Sequence, residues 1–136
     1  MLAEVIEAAA KDPDIHILEL PPTSHLFINA LQAASTIVIQ KSLREGFGLT
    51  VAEALWKKKP VVASAVGGIP LQVIHKHTGM LAHSVEGTAY QIRFLLSHPE
   101  IAQRLGEQGH EHVRENFLIT GNLKRYLTLF LHAAGA

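Results

Sequence analysis

Cysteine is absent from the 136-residue sequence. Its absence excludes a disulfide-bonded scaffold and any metal site that is built on thiolates. An excess of one charge is also absent, because twelve lysines and arginines balance twelve aspartates and glutamates. Proteins that bind nucleic acids through their phosphates usually carry a basic excess, so the balance argues against a nucleic-acid partner.

Long apolar runs are missing as well. None reaches the roughly 20 residues that a helix needs to span a bilayer. The N-terminus also lacks the basic segment followed by an apolar one that marks a secretory signal peptide. With 48% hydrophobic and 18% charged residues, the composition is that of a globular domain with its own core. We therefore expect a cytoplasmic protein with no membrane span.

Short apolar runs alternate with segments of helical periodicity in the first part of the chain. Strand-like runs occupy residues 15–20, 36–39, 60–64 and 80–82, and helical spacing is found at residues 2–10, 26–34 and 49–58. This alternation predicts an α/β fold with a Rossmann-like parallel sheet, flanking helices and right-handed crossovers. From residue 85 onward the spacing is helical, which predicts a helical C-terminal tail. Gly106 and Gly109 are expected to weaken one of its helices.

The junction between the second strand-like run and the next helix is rich in glycine. Residues 44–53 read Arg-Glu-Gly-Phe-Gly-Leu-Thr-Val-Ala-Glu. A parallel strand that ends in a glycine turn and opens a helix commonly binds anions, because free backbone N–H groups and the helix dipole point there. One interpretation is therefore a phosphate-bearing ligand whose hydroxyl groups meet Glu45 and Glu53. The other is a tight turn that binds nothing, and the spacing alone leaves both open.

Glu53 also has a structural interpretation. Thr50 and Glu53 have the spacing of a capping box, in which the threonine begins the helix and the glutamate bonds back to its start. Alternatively, since helical side chains tilt toward the N-terminus, a carboxylate one turn into the helix reaches a ligand at that end. The pattern does not decide between a cap and a ligand-binding residue.

Nine histidines raise the question of a metal site. His75 and His77 are two residues apart, as are His110 and His112. Two helical residues at that spacing face different directions, so His110 and His112 are poor co-ligands. We expect surface histidines in contact with solvent and no bound metal.

Several motifs occur together in a fixed order after residue 40. They are Glu45 and Glu53 with seven residues between them, Gly-Phe-Gly after the first, Ala54-Leu55, residues 59–63, residues 67–70 and Thr78-Gly79. In this order the chain resembles the C-terminal, nucleotide-sugar-binding domain of retaining glycosyltransferases with the GT-B architecture. Those enzymes have two Rossmann-like domains that face each other across a cleft. The resemblance implies the same fold for this chain.

The resemblance also implies roles for the residues of the glycine junction. It implies that Glu45 positions the donor sugar through its hydroxyl groups and that Glu53 binds the ribose of the nucleotide. The residues that would meet the sugar and the diphosphate are Gly46, Phe47, Gly48, Leu49 and Thr50. We expect no metal and no cofactor besides the donor substrate, a nucleotide sugar such as ADP-, UDP- or GDP-glucose.

Within this family, residues 41–51 are most similar to the trehalose synthases. Those enzymes transfer a glucosyl unit from a nucleotide-glucose to glucose and retain the α configuration. Residues 67–72 also resemble fungal-type trehalose phosphorylases. A phosphorylase-like enzyme, or another retaining GT-B glycosyltransferase, is therefore the alternative.

Two parts of the family pattern have no counterpart in this sequence. These are an upstream basic pair that clamps the donor diphosphate and the acceptor-binding N-terminal domain. We therefore expect residues 1–136 to form a single, incomplete donor-binding domain that is inactive alone. In the alternative hypothesis the chain is a catalytically inactive nucleotide-binding or self-associating fragment. It would then form a homo-oligomer through an exposed sheet edge and surplus apolar helices.

Overall fold

A computed structural model, which describes residues 2–135, contains seven helices and three strands within that range. In chain order they are α1 (Leu2–Ala9), α2 (His25–Ala34), β1 (Val38–Gln40), α3 (Leu49–Trp56), β2 (Val61–Ser64), α4 (Ile69–Gln72), β3 (Met80–Ala82), α5 (Val85–Ser97), α6 (Pro99–Asn116) and α7 (Ile119–Ala133). After residue 85 the described chain is helical, in α5, α6 and α7.

The strands form one parallel sheet in the order β1-β2-β3. Val38 lies opposite Val61 in the first pair, and Val62 lies opposite Met80 in the second. Every residue of the central strand β2 is buried, as expected for a parallel strand with helices on both faces. The predicted α/β class, with a parallel sheet and flanking helices, is confirmed.

Side chains of β2 point alternately to opposite faces of the sheet and divide the core into two clusters. Val61 and Ala63 pack on one face with residues of α3, α4 and α6. Val62 packs on the other face with residues of β3, α5 and α6. Helix α6 contributes to both clusters, through Val113 in the first and Leu105 in the second. It therefore links the two clusters of the core.

Residues 15–20 do not form the strand that their alternating pattern predicts. The segment pairs with no strand, because the sheet ends at β1. All of these residues are exposed, and Ile15 and Leu18 each have 53% of their surface accessible. A strand is stabilised by pairing with a neighbour and by a layer that covers its apolar face. Neither is present within the described chain, so the prediction is wrong for this segment.

Helix α6 crosses the end of α3 at very short distance. A Cβ atom added to Gly106 would lie 2.1 Å from the backbone oxygen of Lys58, and one added to Gly109 would lie 2.5 Å from Leu55 Cδ2. The two glycines therefore allow the helices to approach each other. The expectation that they only weaken α6 misses this role, because it depends on residues far away in the chain.

His110 and His112 are only partly exposed, so the prediction of surface histidines in contact with solvent holds only in part for this pair. The Nδ1 atom of His110 lies 2.7 Å from the carbonyl oxygen of Trp56, and the two rings stack with their centroids 4.6 Å apart. His112 Nε2 lies 2.9 Å from the carbonyl oxygen of Leu71. Each histidine thus links α6 to another helix. Within residues 2–135, no group of three or more His, Asp or Glu could hold a metal ion.

Helix α7 contains no buried residue. Its large apolar side chains are exposed, namely Ile119, Leu123, Tyr126, Leu127, Leu129, Phe130 and Leu131. Self-association through such a face stays a prediction. No helix in the described part of the chain is both long enough and apolar enough to cross a membrane.

His75 links the segment after α4 to β3. Its Nδ1 atom accepts a hydrogen bond from the Leu81 N–H group at 3.0 Å. Partial burial lowers the pKa of His75 below its ordinary value of 6.5, and the nearby charges of Lys76 and His83 lower it further. A ring nitrogen that accepts a hydrogen bond must be unprotonated. The neutral form of His75 is therefore the one that fits the folded chain.

We predict that the free energy of unfolding decreases as the pH falls below 6.5, and that the decrease is smaller in His75→Gln. Since the pKa of His75 is lower in the folded chain than in the unfolded chain, acid protonates the unfolded chain first and favours unfolding. This contribution is complete above the unfolded-state pKa and is lost as the pH falls through the folded-state pKa. Urea denaturation of both proteins at a series of pH values measures it. Identical pH profiles would contradict the prediction.

Candidate functional site

Two glycine loops meet at the carboxyl-terminal edge of the sheet. The first glycine loop, residues 45–48, lies between β1 and α3, and the second glycine loop, residues 66–68, lies between β2 and α4. Because β1 and β2 are parallel neighbours, both loops leave the sheet at the same edge. The Gly68 N–H group donates to the Gly46 carbonyl oxygen at 2.7 Å. The two loops are therefore in direct backbone contact.

Three glycines in these loops are required by the packing itself. A Cβ atom on Gly67 would lie 1.6 Å from the Glu45 carbonyl oxygen, and one on Gly68 would lie 2.6 Å from the Gly46 carbonyl oxygen. Gly48 has a φ of +86° and is the N-cap residue of α3. This φ lies in the left-handed region that favours glycine. Gly48, Gly67 and Gly68 are thus explained without any ligand.

Gly46 is different from these three. Its φ is not positive, and a Cβ atom added to it would have no atom within 4 Å apart from those of its chain neighbours Glu45 and Phe47. The fold therefore does not require glycine at this position. The side of the loop that a Cβ atom would occupy is open, and a ligand can approach the backbone there.

The carboxylate of Glu45 is held by its own turn. Its Oε1 atom accepts from the Gly46 N–H group at 3.1 Å. Its Oε2 atom accepts from Gln40 Nε2 and from Ser42 Oγ, both at 3.2 Å. An ionised carboxylate has about four acceptor positions, so one position remains for another hydrogen-bond donor. Glu45 is half-buried and fixed next to the open side of Gly46.

Gln72 is a residue of this region that the sequence analysis did not assign to the site. Its side chain is fully buried, and its Nε2 atom donates to the carbonyl oxygen of Phe47. Its Oε1 atom has no hydrogen-bond partner within residues 2–135. The amide therefore fixes the peptide that leads into Gly48. The only signal in the sequence is a single glutamine after the second glycine loop.

Gly48 is the N-cap residue of α3, and Thr50 lies within the first turn of the helix. Glu53 accepts a hydrogen bond from Gln32 Nε2 at 3.1 Å and makes no bond to the start of its own helix. The capping-box interpretation of Thr50 and Glu53 is therefore wrong. The physical reason is that the left-handed conformation of Gly48 starts the helix before Thr50 is reached.

The first turn of α3 presents unpaired hydrogen-bond donors. The backbone N–H groups of Gly48, Leu49 and Thr50 have no acceptor within the described chain. The aligned peptide dipoles add a partial positive charge at this end of the helix. Lys41 adds a full positive charge at the same edge of the sheet, where its Nζ atom donates to Ser64 Oγ at 3.1 Å. This arrangement suits an anionic ligand.

Glu53 lies in an open cleft of about 520 Å³ between α2 and α3. The polar residues that line the cleft are His25, Asn29, Gln32, Thr50, Glu53 and Lys57. Only Thr50 and Glu53 were identified from the sequence. The other four were missed because no sequence motif distinguishes them from ordinary polar residues on a helix surface.

Three further residues of the junction are Phe47, Leu49 and Arg44. The ring of Phe47 packs against Phe117, with centroids 5.6 Å apart, so it anchors the loop to the end of α6. The side chain of Leu49 is exposed. Arg44 is also exposed and makes no hydrogen bond or ion pair within the part of the chain that the structure describes. The site is therefore formed mainly by backbone groups and by the two glutamates.

Residues 6–112 match the family model described as Glycosyl transferases group 1. The match covers most of the chain and includes both glycine loops, Glu45 and Glu53. The chain belongs to this glycosyltransferase family. The resemblance found in the sequence motifs is confirmed.

Curated relatives in this glycosyltransferase family include trehalose synthases. The trehalose synthase of Thermococcus litoralis is 44% identical over 127 residues, which cover 93% of this chain and 31% of that protein. The trehalose synthase of Rubrobacter xylanophilus is 45% identical over 133 residues, or 97% of this chain and 32% of that protein. The trehalose phosphorylase of Pleurotus pulmonarius is more distant, at 36% identity over 121 residues, 85% of this chain and 16% of that protein. The chain spans about a third of the length of the two synthases.

Solved structures that superimpose on this chain are GT-B glycosyltransferases, of which it matches one part. Sucrose-phosphate synthase from Thermosynechococcus elongatus superimposes with a TM-score of 0.80 and 27% identity, over 98% of this chain and 34% of that one. HepE from Anabaena, in complex with UDP, superimposes with a TM-score of 0.65 and 26% identity, over 73% of this chain and 28% of that one. The predicted relationship to GT-B glycosyltransferases is confirmed.

Proposed function

We propose that this chain binds the donor substrate of a retaining glycosyltransferase that moves a glucosyl unit from a nucleotide-glucose to glucose. The identity of 44% and 45% to two trehalose synthases supports this reaction. Because the chain spans 31% of the length of the first of these synthases, we assign acceptor binding to the portion of such proteins that it does not match.

The observation that carries the proposal is the open side of Gly46, next to a fixed carboxylate and to unpaired N–H groups. A nucleotide sugar at this position would place its diphosphate at the N–H groups of Gly48, Leu49 and Thr50. A sugar hydroxyl group would donate to the acceptor position that remains on Glu45. The close approach needs no side chain at Gly46, and the structure itself gives no other reason for glycine there.

The chemistry of the transfer suits this arrangement. When the bond between the sugar and the diphosphate breaks, negative charge develops on the leaving diphosphate. N–H groups and a helix dipole that already point at this position stabilise the charge without rearranging. Both oxygens of Glu45 are engaged by the turn, so Glu45 acts in this proposal as a positioning group and not as a nucleophile.

The chain should bind at least one of UDP-, ADP- and GDP-glucose, and Glu45→Gln should weaken that binding about tenfold or more, as the loss of a hydrogen bond to a charged group does. UDP-glucose is the first to test, because the HepE structure contains UDP. Calorimetric titration measures the affinities. Glu107→Gln is the control, since Glu107 is an exposed glutamate that accepts from Gln103 at 3.0 Å on α6. A folded chain that binds none of the three nucleotide sugars would contradict the proposal.

A trehalose phosphorylase-like function is the second candidate. It is favoured by the identity of 36% to the phosphorylase of Pleurotus pulmonarius. Such an enzyme would hold inorganic phosphate or glucose 1-phosphate at the same N–H groups of α3. Binding of either phosphate compound, without binding of any nucleotide sugar, would favour this second function over the first.

A further inference from the structure

The cleft between α2 and α3 contains a chain of hydrogen bonds centred on Gln32. Gln32 is the buried residue of α2, with 6% of its surface exposed. Its Oε1 atom accepts from Lys57 Nζ at 2.8 Å, and its Nε2 atom donates to Glu53 Oε2 at 3.1 Å. Buried polar groups are normally hydrogen-bonded, and here both ends of the amide are.

The chemistry of Lys57 determines which atoms donate and which accept in this series of hydrogen bonds. An ammonium group donates hydrogen bonds and never accepts them, so the amide oxygen of Gln32 must face Lys57. The amide nitrogen must then face Glu53, where it meets a carboxylate that accepts. The orientation of the Gln32 amide is therefore set by its two partners.

Gln32 also separates the charges of Lys57 and Glu53. The two charged residues are four positions apart, with Glu53 on α3 and Lys57 at its C-cap, a spacing that favours a direct ion pair. In the described chain they do not form one. The Nζ atom of Lys57 instead donates to Gln32 and to the backbone oxygen of Glu53 at 3.3 Å. As a result, one carboxylate oxygen of Glu53 is fixed by an amide and the other has no donor within residues 2–135.

We propose that Gln32 and Lys57 are positioning residues that keep the Glu53 carboxylate available for the ribose hydroxyl groups of a nucleoside diphosphate. The inference rests on the proposed function, which places the donor nucleotide at this end of α3. The two neighbouring hydroxyl groups of a ribose both donate, and an oriented carboxylate with a free oxygen accepts from them. Without Gln32, Lys57 would pair directly with Glu53 and compete with the ribose.

The test measures how much the ribose hydroxyl groups contribute to affinity. The tightest binder among UDP, ADP and GDP is titrated alongside its 2′,3′-dideoxy analogue. The ratio of the analogue's dissociation constant to that of the diphosphate is then compared between variants. In the unmodified chain the analogue should bind about tenfold more weakly or worse, as expected when a hydrogen bond to a charged group is lost. Gln32→Leu should bring the ratio close to one while the affinity for the analogue stays unchanged.

Variants of Lys57 provide an independent measurement on the same chain. Lys57→Arg should keep the ratio, because a guanidinium group also donates to the amide oxygen. Lys57→Met should lower it, because the Gln32 amide can then rotate. The matched control is Gln103→Leu, which removes an exposed Gln103–Glu107 hydrogen bond of 3.0 Å on α6 and should change neither affinity.

The outcomes separate this inference from the proposed function. If Gln32→Leu weakens both ligands equally, or changes neither, the ratio stays as in the unmodified chain and the inference is overturned. If Glu53→Gln also keeps that ratio, Glu53 does not bind ribose, and the role that the family resemblance implies for it is wrong. If Glu53→Gln lowers the ratio and Gln32→Leu does not, only the positioning role fails. Absence of binding by all three diphosphates overturns both.

Discussion

Replacing Gly106 by alanine should lower the free energy of unfolding by about 3 kcal/mol or more, because the added methyl group has no space. Its Cβ atom would lie 2.1 Å from the oxygen and 2.7 Å from the carbonyl carbon of Lys58. These are backbone atoms, which cannot rotate away as the end of a flexible side chain would. Helix α6 would have to move away from α3 and open the core that Leu55 and Val113 share.

The end of α3 cannot easily move instead. The Lys58 N–H group donates to Leu55 O at 2.9 Å, and the Lys59 N–H group donates to Ala54 O at 3.0 Å. These two bonds close the helix as a Schellman motif. Lys58 is held in the left-handed region, with a φ of 58°, and the buried strand β2 follows closely. Since the backbone is constrained on both sides, the clash acts on α6.

Gly121→Ala is the matched control, and its expected effect has the opposite sign. Gly121 lies within α7, and a Cβ atom there would have its nearest neighbour at 3.5 Å, an ordinary contact. Replacing a helical glycine by alanine without a clash stabilises a protein by about 0.5–1 kcal/mol. Urea denaturation followed by circular dichroism measures both variants. A Gly106→Ala chain with an unchanged midpoint would show that the two helices separate without cost.

Local sequence patterns were sufficient to predict the structure of a segment where its own residues determine its environment. Residues 61–63 form a short apolar run with no polar face, which suits only a strand that is covered on both sides, and β2 is such a strand. Alternation of strands and helices then implies a parallel sheet, because parallel neighbours need a crossover between them. The glycine junction was predictable for the same reason, since Gly46 and Gly48 are only two positions apart in the turn that they form.

Contacts between distant residues explain what could not be predicted. Residues 15–20 have a strand-like pattern. A strand must also pair with the free edge of another strand, and a local sequence pattern does not show whether such an edge is available. Thr50 and Glu53 fit a capping box, but Gln32 binds the carboxylate from a separate helix, 21 positions away. Gln72 likewise acts on the backbone of Phe47 from 25 positions away. A single glutamine has no periodicity, so its partner becomes evident only in three dimensions.

Gly46→Ala should weaken binding of the nucleotide-sugar donor about tenfold or more, equivalent to about 1.4 kcal/mol, and leave the folded state intact. A Cβ atom at this position would have no atom within 4 Å beyond those of its two chain neighbours, and φ is not positive, so alanine fits the conformation of the loop. The Gly46 N–H group and carbonyl oxygen would keep their bonds to Glu45 and Gly68. The new methyl group would, however, occupy the space through which we propose that the sugar and diphosphate approach the backbone.

Gly67→Ala is the control for this prediction. There the Cβ atom would lie 1.6 Å from the Glu45 carbonyl oxygen, and φ is +55°, so both the conformation and the contact are unfavourable. We expect Gly67→Ala to lose stability and binding together, whereas Gly46→Ala loses binding alone. Urea denaturation and calorimetric titration of both variants separate the two quantities. Unchanged affinity in a stable Gly46→Ala chain would mean that the open side of the first glycine loop faces only solvent, and that the loop serves as a tight turn. Lost affinity without lost stability would instead mean that glycine is present at this position because a ligand, and not the fold, needs the space.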